Sequence, residues 1–299
     1  MKPAPFDYRC PDTLDEALAL LARHKGAAKI IAGGQSLMPM INFRIVRPAL
    51  LVDVKRLLEY DFVRPTAGGG LAVGALTRHR VLETSPLVAA RFPVIAQAMR
   101  HVAHVAIRNR GTIGGSLSHA DPAAELPMLS LLLDAQIHVR AAIGSRIIPA
   151  STFFLGALSN ALHDDEIVVQ VDLPGLAAGI GWAFEEFSRR AGDFALAALG
   201  VLVRVTQGRI SEARIALMGV ADTPVRAPAA EALLLGAVAS DALIEQAVRA
   251  ACEPLQPPAD LHASPEYRRH LAAVLAHRAI SAALRRATGY AQLATANER

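Results

Sequence analysis

The apolar positions in the first half of the chain form two patterns, a stripe with helical spacing and short continuous runs. Thr13 to Glu16 fit a capping box at a helix start, and the apolar stripe that follows predicts a helix running to Lys25 and ending at Gly26. Short apolar runs bounded by turn residues predict strands. These predicted strands cover residues 29–32, 50–54, 71–75, 135–141 and 167–173.

Helical segments are predicted between these strands. Thr77 is a candidate cap for the helix that follows it, and Pro93 suits the first turn of a helix ending near Val102. A further helix is predicted over residues 122–133. This repeated order of strand, turn and helix up to Pro174 predicts one α+β domain with two αβ lobes.

The pattern changes from Gly181 onward. The predicted elements there are three strands and two alanine-rich helices, over residues 182–184, 199–205, 209–220, 229–252 and 265–287. They predict a C-terminal domain of three-stranded antiparallel sheet and helices. We therefore expect a first domain at residues 1–176, a second at 177–290 and a tail at 291–299.

Composition narrows the class of protein. The 299 residues are 53% hydrophobic, which excludes disorder, and the formal net charge of +4 is spread without a basic tract. Charge therefore gives little support to a nucleic-acid or membrane-surface role. No apolar run reaches the roughly 18 residues of a membrane-spanning helix, and the N-terminus carries no secretory pattern, so a cytoplasmic location is expected.

Cysteine and histidine content restricts the redox and metal chemistry. Cys10 and Cys252 are the only cysteines, and two thiols cannot ligate an iron–sulfur cluster or a cysteine-rich zinc site. His101 and His104 have a metal-ligand spacing, but no third ligand accompanies them in the sequence. We predict no metal site and no catalytic acid–base or nucleophilic constellation.

Two glycine pairs carry the candidate chemistry. A predicted buried strand ends in Gly33-Gly34 and continues into Gln35-Ser36, where backbone N–H groups could approach an anion. An ordinary strand-to-helix turn is the alternative. Arg108 to Ser116 contain a second pair, and two such loops could grip the two phosphates of a dinucleotide. Neither loop has the spacing of a Rossmann fingerprint or a phosphate-binding P-loop.

Four segments carry a specific resemblance. Residues 32–37, 112–116, 119–127 and 187–195 resemble the FAD-binding medium subunit of the molybdenum hydroxylases, a family that includes aerobic carbon monoxide dehydrogenase and xanthine dehydrogenase-like enzymes. The resemblance covers nearly the whole chain. It implies that the α+β first domain is the two-lobed FAD-binding fold of the vanillyl-alcohol oxidase and p-cresol methylhydroxylase flavoproteins.

The resemblance also implies which residues contact FAD. They are Ile30, Ile31, Ala32, Gly33, Gly34, Gln35, Ser36, Leu37, Thr112, Ile113, Gly114, Gly115, Ser116, Asp121, Glu125, Val168 and Glu186. Relatives often carry a lysine at the position of Glu186. An anion there would oppose a negative reduced flavin, so either Glu186 turns away or the flavin potential is set differently.

The implied function is electron transfer within a larger hydroxylase. A large subunit would hold the molybdopterin cofactor and a small subunit two iron–sulfur clusters, in a dimer of trimers. This chain would collect electrons on FAD and pass them to NAD⁺, a quinone, a cytochrome or oxygen. A stand-alone FAD oxidoreductase of the same fold and a cofactor-free structural subunit are the alternatives.

Overall fold

The computed structural model describes residues 2–288. Within this range the strands are β1 Asp7–Arg9, β2 Ala28–Ile31, β3 Leu50–Asp53, β4 Val63–Pro65, β5 Leu71–Gly74, β6 Gln136–Arg140, β7 Ser145–Pro149, β8 Phe154–Gly156, β9 Ser159–Asn160, β10 Ile167–Leu173, β11 Gly181–Ser188, β12 Ala195–Thr206, β13 Arg209–Met218 and β14 Val225–Arg226.

The α-helices of the same range vary from one turn to 24 residues. They are α1 Leu14–His24, α2 Leu37–Asn42, α3 His79–Thr84, α4 Pro86–Arg91, α5 Pro93–Ala98, α6 Val105–Arg108, α7 Ile113–His119, α8 Glu125–Leu132, α9 Ala150–Phe153, α10 Pro228–Leu234, α11 Asp241–Cys252 and α12 Pro265–Thr288. None of them is both long and apolar enough to cross a membrane.

The chain forms two compact units, each assembled from separate stretches of sequence. Unit 1 comprises residues 1–85, 104–121 and 134–174, and unit 2 comprises residues 86–103, 122–133 and 175–299, described here as far as residue 288. The domain boundaries expected from the sequence, at residues 176 and 177, stay a prediction. The expected tail at 291–299 lies outside the described residues.

Unit 1 contains two main sheets, in agreement with the two αβ lobes expected from the sequence. The first sheet has the order β1-β3-β2 with all strands parallel, and the stripe of α1 packs on it. The second sheet is antiparallel, in the order β4-β5-β10-β6-β7. The strand β10 therefore lies at its centre.

The start of α1 confirms the predicted capping box. Thr13 Oγ1 accepts the N–H of Glu16 at 3.2 Å, and Glu16 Oε2 accepts the N–H of Asp12 at 3.1 Å. The helix ends one residue before the predicted position, because Lys25 takes a left-handed conformation and Gly26 follows with φ of 85°. Gly26 therefore marks the end of the helix to within one residue.

Unit 2 is built around the antiparallel sheet β11-β12-β13-β14. The expected three-stranded sheet has a fourth strand, the two-residue β14, which is too short to leave a pattern in the sequence. The long helix α12 lies so close to β11 that a β-carbon on Gly181 would come 2.0 Å from the Ala283 carbonyl oxygen. Helix α8 covers the opposite face, where Gly200 leaves room for Leu132.

Several predicted helix limits were wrong. Thr77 does not cap α3, because its hydroxyl donates to the Phe62 carbonyl, and Arg78 precedes the helix without a side-chain cap. The single helix expected over 229–252 is split into α10 and α11 around Gly236, which has φ of 79°. The helix that begins at Pro93 ends at Ala98 rather than near Val102.

Helix α8 is also shorter than the segment predicted over 122–133. It begins at Glu125, since the residues before it form a turn.

Candidate functional site

The first glycine pair lies directly after β2, at the carboxyl edge of the parallel sheet. Gly34 has φ of 71°, a conformation in which a residue with a β-carbon is strained. The Gln35 side chain donates to the Gly33 carbonyl oxygen at 3.0 Å and stiffens the loop. The helix α2 follows at once, with Ser36 at its N-cap position and no side-chain capping bond.

This loop presents consecutive unused donors. Within residues 2–288 the backbone N–H groups of Gly33, Gly34, Gln35 and Ser36 donate to no acceptor, while the Gly34 and Ser36 carbonyls accept from Met38 and Met40. Successive backbone donors without protein acceptors are an arrangement that binds anions. The loop therefore suits a phosphate or diphosphate group.

The second glycine pair has a different construction. Thr112 caps α7 by accepting the N–H of Gly115 at 3.1 Å. The Gly114 N–H donates to the Ala75 carbonyl at 2.9 Å, and the Ser116 N–H donates to that of Thr112 at 3.0 Å. These donors are occupied, so this segment offers an accessible surface at Gly115 and Ser116 rather than a row of unused N–H groups.

The structure brings the two glycine segments into direct contact. A β-carbon on Gly33 would come 2.3 Å from the Arg110 carbonyl oxygen and 2.9 Å from the Gly111 α-carbon. Real β-carbons do not approach backbone atoms this closely, so Gly33 is the residue that permits the contact. The two segments thus lie side by side in the fold, and their shared grip on a dinucleotide stays a prediction.

The other expected site residues of unit 1 lie after the second glycine segment, in β10, or beside the first loop. Asp121 comes two residues after the end of α7, and its Oδ2 lies 4.0 Å from His119 Nε2. Burial lowers the pKa of His119, and the negative charge of Asp121 acts in the opposite direction. Val168 is buried in β10, opposite Val139 of β6. Ile30, Ile31, Ala32 and Leu37 flank the first loop.

Glu125 and Glu186 belong to unit 2. Glu186 lies opposite Ala198 in the register of β11 and β12, on the sheet face that α8 covers, and Glu125 is the first residue of α8. The Glu186 side chain is only 2% exposed, and its Oε2 has no hydrogen-bond partner among the described residues. Its Oε1 lies 3.9 Å from His101 Nδ1.

The surroundings of Glu186 disfavour its charge. Burial first, and then the negative charge of Glu125, raise the pKa of Glu186 to about 8. Burial lowers the pKa of His101, so the imidazole gives no compensating charge. Glu186 is therefore a neutral carboxylic acid at neutral pH, able to donate a hydrogen bond where a carboxylate could only accept one.

Sequence reasoning missed the residues that hold the second segment in place. Ala75, Thr77, Arg78 and His79 all bond to it across more than thirty positions of sequence. No local sequence pattern predicts such contacts. The available local signal is His79, a histidine at the start of the helix expected after Thr77.

Together these features fit a dinucleotide cofactor. The unused donors at Gly33 to Ser36 would bind the diphosphate, and the accessible surface at Gly115 and Ser116 could face the rest of the cofactor. The row of donors at the first loop, held against the second segment, meets the requirement of an anionic ligand.

Comparisons with known proteins agree with this geometry. Residues 4–176 match the family described as "FAD binding domain in molybdopterin dehydrogenase", and residues 182–283 match the "CO dehydrogenase flavoprotein C-terminal domain".

Two curated relatives extend over nearly the whole chain. The 6-hydroxypseudooxynicotine dehydrogenase complex subunit alpha of Paenarthrobacter nicotinovorans is 42% identical over 96% of this chain and 97% of that subunit. The carbon monoxide dehydrogenase medium chain of Hydrogenophaga pseudoflava is 36% identical over 95% of this chain and 98% of its own length.

The fold has a close counterpart among solved structures. A chain of carbon monoxide dehydrogenase from Hydrogenophaga pseudoflava superposes with a TM-score of 0.93 at 39% identity, covering 96% of this chain and 99% of that one. The family model, the relatives and the fold thus agree. The chain belongs to the family of FAD-binding medium subunits of the molybdenum hydroxylases.

Proposed function

We propose that this chain is the electron-transfer flavoprotein of a heteromeric molybdopterin-dependent hydroxylase. It takes electrons from iron–sulfur clusters on a small partner subunit and delivers them to an external acceptor. A large partner subunit carries the molybdopterin cofactor and oxidises the organic substrate. The observation that carries the proposal is the row of unused N–H groups at Gly33 to Ser36, held against the second glycine segment.

Each part of the site has its own task in this proposal. The N–H groups of the first loop bind the diphosphate of FAD, and Gly115 and Ser116 line the path of the linker beyond it. Asp121 contacts polar groups of the cofactor and Val168 supplies an apolar contact, while the contact expected of Glu125 stays a prediction. Bound FAD contributes the capacity to accept two electrons and to release them singly or together.

The neutral state of Glu186 bears on its relation to the flavin. A protonated carboxyl adds no negative charge, so it does not oppose the charge of a reduced flavin as a carboxylate would. We propose that Glu186 stays turned into the sheet face that α8 covers, because its side chain is only 2% exposed and its Oε2 is buried. A buried, protonated Glu186 is compatible with a reduced flavin that carries negative charge.

The remaining parts of the proposal concern the assembly. The complex is a dimer of trimers in the cytoplasm, and its acceptor is NAD⁺, a quinone, a cytochrome or oxygen. Support comes from the relatives, which are named as subunits or medium chains of dehydrogenases. No side chain of this chain acts as an acid, base or nucleophile on the organic substrate.

Affinity purification of the full chain with its partner subunits tests this proposal. We expect two further polypeptides, with molybdenum and iron in the complex and one FAD for each copy of this chain. Reduction by substrate should bleach the flavin absorbance only when all three subunits are present. A flavin-free complex would support the structural alternative, and turnover of an organic substrate by this chain alone would support the oxidase.

A further inference from the structure

The segment Thr77 to His79 runs alongside the second glycine segment and binds three consecutive carbonyl groups. The Arg78 guanidinium donates to the Arg110 carbonyl, and the His79 backbone N–H donates to that of Gly111 at 2.9 Å. The His79 ring completes the set, with Nε2 lying 3.0 Å from the Thr112 carbonyl oxygen. His79 thus holds two of the three carbonyls.

The ring of His79 has one defined protonation state. A carbonyl only accepts hydrogen bonds, so Nε2 must carry the proton, and Nδ1 is left as a buried lone pair with no partner among the described residues. Burial lowers the pKa of His79 to about 4, and the cations Arg78 and Arg108 act in the same direction. Arg108 is itself paired with Glu83, whose Oε2 lies 2.8 Å from Arg108 Nε.

The second glycine segment is fixed from two sides. A β-carbon on Gly111 would come 2.9 Å from the His79 ring, so the ring lies flush against the glycine backbone. Gly33 of the first loop meets the same stretch at Arg110 and Gly111. A shift of this stretch would therefore change its contact with the first loop, which carries the unused donors.

We propose that His79 is a positioning residue for the dinucleotide site. Through its bond to the Thr112 carbonyl it holds the Gly111–Thr112 backbone against the first loop, whose unused N–H groups would bind the diphosphate. This inference rests on the proposed function, because it concerns the site of the FAD diphosphate. His79 touches no phosphate itself and acts through the backbone of the second segment.

Two amide substitutions separate the bond from the volume of the ring. In His79→Gln the amide nitrogen is as many bonds from the β-carbon as Nε2, so the donor to Thr112 is kept. In His79→Asn the amide nitrogen corresponds to Nδ1, which has no partner. His79→Leu removes the donor and keeps an apolar side chain.

The measurement is the dissociation rate of FAD from the complex purified with its partner subunits, followed by flavin fluorescence after dilution. We expect His79→Leu and His79→Asn to release FAD about tenfold faster than wild type, and His79→Gln to stay within about threefold. Leu82→Ala on the same helix, where Leu82 is fully buried, is the control for general destabilisation. It should lower the melting temperature without accelerating FAD release.

The outcomes distinguish this inference from the function on which it rests. If the wild-type complex holds FAD and the Leu, Asn and Gln variants all release it at the same rate as one another, the hydrogen bond of His79 has no positioning role. The same holds if Leu82→Ala accelerates release as much as His79→Leu does. If wild-type complex holds no FAD, the proposed function itself fails.

Discussion

Gly33 lies in direct contact with the backbone of Arg110: a β-carbon on Gly33 would come 2.3 Å from the Arg110 carbonyl oxygen. This contact joins the end of β2 to the segment that precedes α7, nearly eighty positions later in the chain. It places the unused donors of the first loop beside the capped start of α7. The geometry of the site therefore depends on the absence of one side chain.

Gly33→Ala tests this dependence. The added methyl group cannot be accommodated without moving one loop away from the other, because the opposing atoms are backbone. We expect the variant to fold and to lose most of its FAD, as measured by flavin absorbance per chain in the purified complex. Gly68→Ala is the matched control, since a β-carbon there meets nothing within 4 Å and the backbone has no positive φ. Full flavin content in Gly33→Ala would contradict this account.

The cap of α7 gives a second prediction. Thr112→Val removes the oxygen that accepts the Gly115 N–H, which costs about 1 kcal/mol of stability. It also frees that N–H and loosens the accessible surface at Gly115. Thr112→Ser keeps the oxygen and should behave as wild type. Urea unfolding measures the change in stability, and flavin absorbance measures the FAD content. Equal results for Thr112→Val and Thr112→Ser would exclude a role for the cap.

The pH dependence of stability tests the protonation of Glu186. Its pKa is about 8 in the folded chain against 4.5 for an ordinary glutamate, so between these values the folded state keeps a proton that the unfolded state has lost. Wild-type stability is therefore lowered as pH rises through this window. Glu186→Gln carries no such proton, and we expect it to gain about 4 to 5 kcal/mol relative to wild type between about pH 4 and about pH 9.

Glu125→Gln is the companion variant for this measurement. It removes the negative charge that adds to the effect of burial, so the pKa of Glu186 in the folded chain falls. The loss of stability should then begin at the same pH as in wild type, end at a lower pH and be smaller in total. Unfolding curves of the full chain at a series of pH values give both results. A constant difference between Glu186→Gln and wild type across the range would show that Glu186 is ionised in the folded state.

The two cysteines provide a test of the redox assignment. Cys252 is buried and its pKa is raised to about 12 by burial, while Cys10 is partly exposed. We expect alkylation of the native chain near neutral pH to modify Cys10 and spare Cys252, as read by mass spectrometry. The double variant Cys10→Ser, Cys252→Ala should keep its flavin. Loss of flavin in that variant would point to a thiol at the cofactor.

The sequence predicted elements well where local chemistry decides them. Residues 167–173 were predicted as a strand and form β10 with the same limits, because a β-branched apolar run is stopped by Pro174. The break at Gly236 between α10 and α11 was not predicted, because the alanine- and leucine-rich sequence around it favours a continuous helix. Local propensity and tertiary structure disagree at that position.

The candidate site was predictable in part. The glycine pairs are visible in the sequence, and so is the resemblance they carry. The neighbours that fix them are not, because His79 and Thr112 meet across 33 positions with no periodic signal between them. The same is true of Glu125 and Glu186, whose mutual repulsion appears only once α8 lies on the sheet of unit 2.

The central place of β10 in its sheet has a consequence for biosynthesis. The ribosome adds β10 about a hundred residues after β5, yet the antiparallel sheet of unit 1 cannot join its β4–β5 and β6–β7 halves without it. A nascent chain shorter than about 173 residues therefore exposes two unpaired strand edges, which favour aggregation. Pairing of the two halves must wait until this strand has left the exit tunnel, so the second sheet of unit 1 is completed late in synthesis.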